Sequence, residues 1–138
     1  MVVLKLTELD GVELYPLDLS LADADILVFP AMTVSIIGYP FGLSVGGGWP
    51  VWKTGHIASE PQIDFNNSPG FLVDVTGRGG MSGSPVVVRP QGQYQSRSGG
   101  LVIGSSPTLF LGIYSAQFDA AELGMVWQPS VIKDILQL

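Results

Sequence analysis

An all-β barrel closed by a C-terminal helix is the fold class this sequence predicts, and three observations predict it. Short β-branched and aromatic runs recur along the chain, Gly- and Pro-rich punctuation separates them, and helical periodicity comes only at the end. At 138 residues the chain makes one ordinary domain with room for a real core. Hydrophobic residues make up 46% and charged residues 13%, so little charge that the chain is either a well-buried β protein or hides part of its surface against something else.

Taken in order, residues 2–7 alternate apolar and polar as a strand does, Asp10-Gly11 is a hairpin turn signal, and residues 13–17 read as a weak second strand. Residues 25–29 form a strongly apolar strand that stops at Pro30. A buried strand over 34–38 is closed by Tyr39-Pro40-Phe41-Gly42, and Gly46-Gly47-Gly48-Trp49-Pro50 is a loop. Strands follow at 51–59 and, after Ser68-Pro69-Gly70, at 71–75. Next come 86–89, a polar hairpin tip over 91–98, apolar strands at 101–103 and 109–115, and a short strand at 125–127. Val131, Ile132, Ile135 and Leu136 fall on one helical face, with Pro129 near the start, which predicts an amphipathic helix over 128–138.

Composition excludes several classes of function. Six basic against twelve acidic residues give −6, with six of the acids in the first 25 residues, so there is no basic footprint for nucleic acid. The absence of cysteine removes disulfides, thiolate metal sites and a cysteine nucleophile, and no cofactor or metal motif is present. The apolar run over 26–37 is broken by Pro30 and is too short for a bilayer, so no membrane partner is expected. No signal peptide is visible; the compartment stays open, leaning toward the cytoplasm.

The chemistry concentrates in Gly79-Gly80-Met81-Ser82-Gly83-Ser84-Pro85-Val86-Val87-Val88. Glycines let the backbone turn tightly and let another molecule approach, so Ser82 sits on a bare loop at the mouth of a β-structure. A hydroxyl nucleophile needs that exposure and nearby N–H groups for a developing oxyanion; the backbones of Gly80 and Ser82 are the candidates. A plain Gly-Ser turn before a strand is the competing reading.

Gly80-Met81-Ser82-Gly83-Ser84-Pro85 resembles the Gly-x-Ser-Gly-Gly/Ser-Pro signature of trypsin-like (chymotrypsin-fold) serine peptidases, and further segments resemble the bacterial HtrA-type branch in the same order. Asp23-Ala24-Asp25-Ile26-Leu27-Val28 is similar to the strand whose Asp orients the catalytic histidine, which implies that role for Asp25. Ile36-Ile37-Gly38-Tyr39-Pro40-Phe41-Gly42 and Thr54-Gly55-His56-Ile57-Ala58-Ser59 resemble the opening strands of the second barrel. The resemblance also places Thr76 at the floor of the P1 pocket, implying a small or apolar P1 residue, and Ser115-Ala116-Gln117 on the strand that pairs with substrate.

The triad's base is missing from its expected place. No histidine precedes Asp25, and the sole histidine, His56, reads as a strand residue facing solvent or a loop. Six strands from residue 34 onward suffice for a complete barrel, whereas the upstream chain holds about three at about 8–12 residues each. The expected division is therefore a remnant of a first barrel over 1–30 and a second barrel carrying the serine over 31–138. The open edge of such a half-barrel implies homo-oligomerisation or capture of an N-terminal segment that supplies the histidine. A fragment, a degenerate relative and one piece of a two-chain enzyme all fit. Two functions follow: a serine endopeptidase acting on polypeptide through Ser82, or a non-catalytic pseudopeptidase that keeps the peptide-binding strand. A structural β-barrel subunit is a third option, resting only on the low charge content.

Overall fold

The structure is a computed structural model and describes residues 4–136. Among these, the strands are β1 (Thr33–Gly38), β2 (Val51–Ile57), β3 (Gly70–Asp74), β4 (Pro85–Val88), β5 (Gln93–Gln95), β6 (Leu101–Ile103), β7 (Leu109–Phe118) and β8 (Leu123–Trp127), followed by helix α1 (Pro129–Leu136). Six of them close an antiparallel barrel in the order β1-β2-β3-β8-β7-β4, and β5 pairs with β6 in a separate two-stranded hairpin. The expected all-β barrel with a C-terminal helix is the observed fold, and each barrel strand falls on an expected run.

Side-chain alternation explains the closure. On β1, Val34 and Ile36 are buried while Thr33 is exposed, the period of two that points every second residue inward. Phe71 and Val73 from β3, Val86 and Val88 from β4, Tyr114 from β7 and Val126 from β8 meet these residues in one core. Strand β4 is buried at Val86, Val87 and Val88 in succession, so its unbroken apolar run marks burial on both faces. Pro129 opens α1, where its missing N–H costs nothing. Lys133 Nζ lies 3.9 Å from Asp23 Oδ1, an exposed pair that contributes little.

The N-terminal part differs from expectation. Among the described residues no strand forms before β1, so the strands expected at 13–17 and 25–29 are absent. The strand expected at 2–7 lies partly outside the described residues, and Leu4–Thr7 carries no strand. Asp10-Gly11 does form a turn, with Val12 N–H donating to Leu9 O at 3.1 Å, but the flanking segments do not pair. A short 3-10 turn over Leu19–Asp23, capped by the Asp18 side chain, packs against β7. Residues 24–29 then carry no regular secondary structure and join the hairpin by one main-chain pair, Leu27 N–H donating to Gln95 O at 2.8 Å, by Arg97 Nε donating to Ile26 O at 2.9 Å, and by the Asp25 side chain. Ile26 is 0% and Val28 8% exposed, so both join the barrel core instead of facing an open edge. Apolar alternation marks which side of a segment is buried, not whether a neighbouring strand is there to pair with it.

Candidate functional site

The serine loop connects β3 to β4 and is stitched to itself, to β7 and to the turn after β1. Met81, fully buried, anchors its centre and donates its N–H to Arg78 O at 3.1 Å. Gly83 N–H donates to Tyr114 O at 2.8 Å, and Tyr114 N–H donates to Ser84 O at 2.9 Å, which fastens the loop to β7. Phe41 N–H donates to Gly79 O at 2.7 Å from the turn after β1. Gly80 has φ +87°, and a Cβ there would stand 2.6 Å from the Tyr39 carbonyl oxygen. Only glycine fits a left-handed backbone pressed against another main chain, so the sequence must carry it here.

This packing leaves Ser82 exposed, its hydroxyl donating to Ser115 O at 2.8 Å. Among the described residues, the N–H groups of Gly80 and Ser82 donate to no protein acceptor, whereas those of Met81 and Gly83 on either side of Ser82 do. These two donors, two residues apart on a loop pinned at its centre, are the pair expected from the sequence for an oxyanion. Strand β7 runs beside the loop. Its pairing with β4 ends at Ile113, while its pairing with β8 runs on to Phe118. Residues 115–118 are thus flanked by a strand on one side alone.

A cavity of about 320 Å³ opens between this edge and the serine loop, lined by Gly77, Arg78, Ser82, Ser115, Gln117 and Asp119 among others. Gly77 is tightly constrained: a Cβ there would fall 2.0 Å from the Tyr114 hydroxyl and 2.3 Å from Gln117 Oε1. Tyr114 itself is buried, its hydroxyl 3.4 Å from Gln117 Oε1. Burial first, and the Asp119 charge second, push its phenol above the usual tyrosine value, so it stays a neutral donor.

Ser82, Ser115 and Gln117 therefore meet around one cavity, with Gly80 on the adjoining turn and exposed Ala116 on the same edge. Two expected site residues lie elsewhere. Thr76 does not line the cavity; its carbonyl accepts a hydrogen bond from Lys53 Nζ, and Gly77 takes the position next to the pocket. Asp25 clasps the tip of the β5–β6 hairpin. Its Oδ1 accepts from Arg97 N–H at 2.9 Å and Ser98 N–H at 3.3 Å, and its Oδ2 accepts from the Ser96 and Ser98 hydroxyls. Those bonds, the Ser96 and Ser98 hydroxyls foremost, hold its carboxyl below the ordinary value. Each acceptor oxygen is committed to the hairpin, and none of these bonds reaches the Ser82 cavity.

His56 is exposed on β2, opposite Thr33 on β1 and Asp74 on β3, and does not line the cavity. Arg78, Tyr114 and Asp119 are site residues that the sequence reading missed; only their nearness to Ser82 and to the 115–117 edge signalled them. Among the described residues no cluster of three His, Asp or Glu side chains is disposed to hold a metal, and no helix is long and apolar enough to cross a membrane. Comparison with protein-family models, curated proteins and solved structures finds no significant match for this chain.

Proposed function

We propose that this chain is the nucleophile-bearing barrel of a serine-peptidase-like protein, which binds extended polypeptide along the free edge of β7 and presents Ser82 for acyl transfer. The observation that carries this reading is the meeting of three features: Ser82 Oγ lies 2.8 Å from the carbonyl that opens the unpaired edge, the two N–H groups beside it are free, and a cavity lies next to both. A peptide laid antiparallel on residues 115–117 gains main-chain hydrogen bonds and sends one side chain toward the cavity. In the step itself Ser82 Oγ attacks the scissile carbonyl carbon and loses its proton to a base. The carbonyl oxygen becomes an oxyanion held by the Gly80 and Ser82 N–H groups, and collapse expels the amine, which leaves with that proton.

Among the described residues the Ser82 hydroxyl bonds to no basic side chain. A carbonyl oxygen, the present partner of the hydroxyl, does not take up a proton near neutral pH. That observation favours a second reading, a peptide-binding barrel without chemistry, and one experiment separates the two. Fluorophosphonate labelling is followed by intact mass with and without added imidazole, using Ser82→Ala as the control. Negligible labelling alone, with imidazole-dependent labelling of Ser82, supports acyl transfer awaiting a base. No labelling under either condition, while a peptide still shifts the amide resonances of 115–118, selects the binding module. Neither labelling nor peptide binding overturns both.

A further inference from the structure

A second groove lies on the barrel away from Ser82, and it points to carbohydrate. It encloses about 490 Å³ over the outer faces of β1 and β2, walled by the chain that leaves β4. Its aromatic element is Trp52, half exposed at 51% although it sits mid-barrel opposite Ile37. Its polar elements are Thr33, Ser35, Thr54, Gln91, Gln93 and Arg89. Ser35 and Thr54 face each other across the β1–β2 pair, their hydroxyls 3.2 Å apart, which fixes both on a rigid base. No carboxylate lines the groove, in a chain whose net charge is −6.

The lining eliminates the other ligand classes in turn. An extended peptide adds to a sheet through free main-chain groups, but β1 is paired with β2 along its whole length and with β4 at Ser35 and Ile36, which leaves little free main chain in the groove. Recognition here falls mainly to side chains. Nucleic acid needs several cations, and the groove offers Arg89 only. An apolar ligand would cover the two Gln amides and the lining hydroxyls without offering them a hydrogen bond. A sugar ring answers all of these features. Its C–H face stacks on an indole as apolar surface, and its hydroxyls both donate and accept, as Ser, Thr and Gln side chains also do. We propose that this groove is a binding site for a neutral saccharide, with a pyranose stacked on Trp52 and its hydroxyls bonded by Gln91, Gln93 and the Ser35–Thr54 pair.

The test is an NMR titration of the full chain with maltose, cellobiose, diacetylchitobiose and a methyl galactoside, beside a neutral extended peptide. The indole N–H of Trp52, one of three tryptophans, is the readout, with Trp49 and Trp127 as internal controls. At least one saccharide is expected to saturate a shift at Trp52, Thr54, Gln91 and Gln93. Trp52→Ala then weakens that binding about tenfold, and Gln93→Ala weakens it about fivefold. Trp52→Phe keeps a ring and retains part of the affinity. Saturation by no saccharide overturns the proposal, as does binding that persists unchanged in Trp52→Ala, or a response at Trp52 to the peptide alone.

Discussion

Replacing Ile26 by alanine asks whether the segment before β1 belongs to this barrel or once served another. Ile26 is 0% exposed and shares its core with Val34, Ile57 and Phe71, although its own segment forms no strand. The change removes three buried carbon groups, worth about 0.8 kcal/mol each, or about 2.4 kcal/mol in transfer alone. The cavity left behind adds to this where the surroundings do not collapse, so the expected loss is about 3–4 kcal/mol. Leu6→Ala, at a side chain 64% exposed, is expected to change stability by no more than about 0.5 kcal/mol. Urea unfolding at equilibrium reads both, with a common m-value as the check that each variant unfolds from the same compact state. A loss under about 1 kcal/mol for Ile26→Ala at unchanged m would refute the burial of this segment.

Three further outcomes follow from the same packing. Gly80→Ala forces a Cβ to within 2.6 Å of the Tyr39 carbonyl at φ +87°, so it should cost about 1–3 kcal/mol in thermal or urea unfolding and abolish peptide binding at the Ser82 cavity; unchanged stability would mean the turn is not held as described. Asp25, with its carboxyl held below the ordinary value by the Ser96 and Ser98 hydroxyls, stabilises the fold fully above about pH 4 and loses that contribution as pH falls through its depressed value. Asp25→Asn should therefore flatten the acid limb of stability against pH, and an identical limb in both proteins would contradict the clasp. Leu4, Leu6, Val12 and Tyr15 are 83%, 64%, 56% and 79% exposed, a run of apolar surface that favours self-association. Sedimentation at micromolar concentration should show a dimer that deletion of residues 1–17 abolishes; a monomer before deletion sinks that expectation.

The barrel was legible because each of its strands carries its own signal. Val34 and Ile36 alternate with Thr33 and Ser35, Val86 to Val88 run unbroken, and Gly or Pro sets the limits of most of them. The N-terminal segment misled because Leu4-Lys5-Leu6-Thr7 alternates just as a strand does, yet has nothing to pair with. Asp25 was legible as a polar residue heading an apolar run, but its partners lie 71 to 73 residues away in the hairpin tip. Nothing local to residues 23–28 encodes that contact. The serine loop was readable from its glycines, since a close main-chain approach at Gly80 permits no other residue. The cavity wall was not, because Gly77, Tyr114 and Asp119 come together only where β7 runs on past the end of its pairing with β4.

The most direct measurement is a structure of the chain bound to a peptide boronic acid with a small side chain beside the boron. A boronic acid forms its tetrahedral adduct with a positioned hydroxyl, and its oxygens stand in for the oxyanion of acyl transfer. The expected result is boron bonded to Ser82 Oγ, with one boron oxygen about 2.7–3.1 Å from the N–H nitrogens of Gly80 and Ser82. The peptide should run antiparallel along residues 115–117 with its side chain in the 320 Å³ cavity. An adduct at another residue, or a peptide that avoids the β7 edge while Ser82 keeps its bond to Ser115, would contradict the central claim.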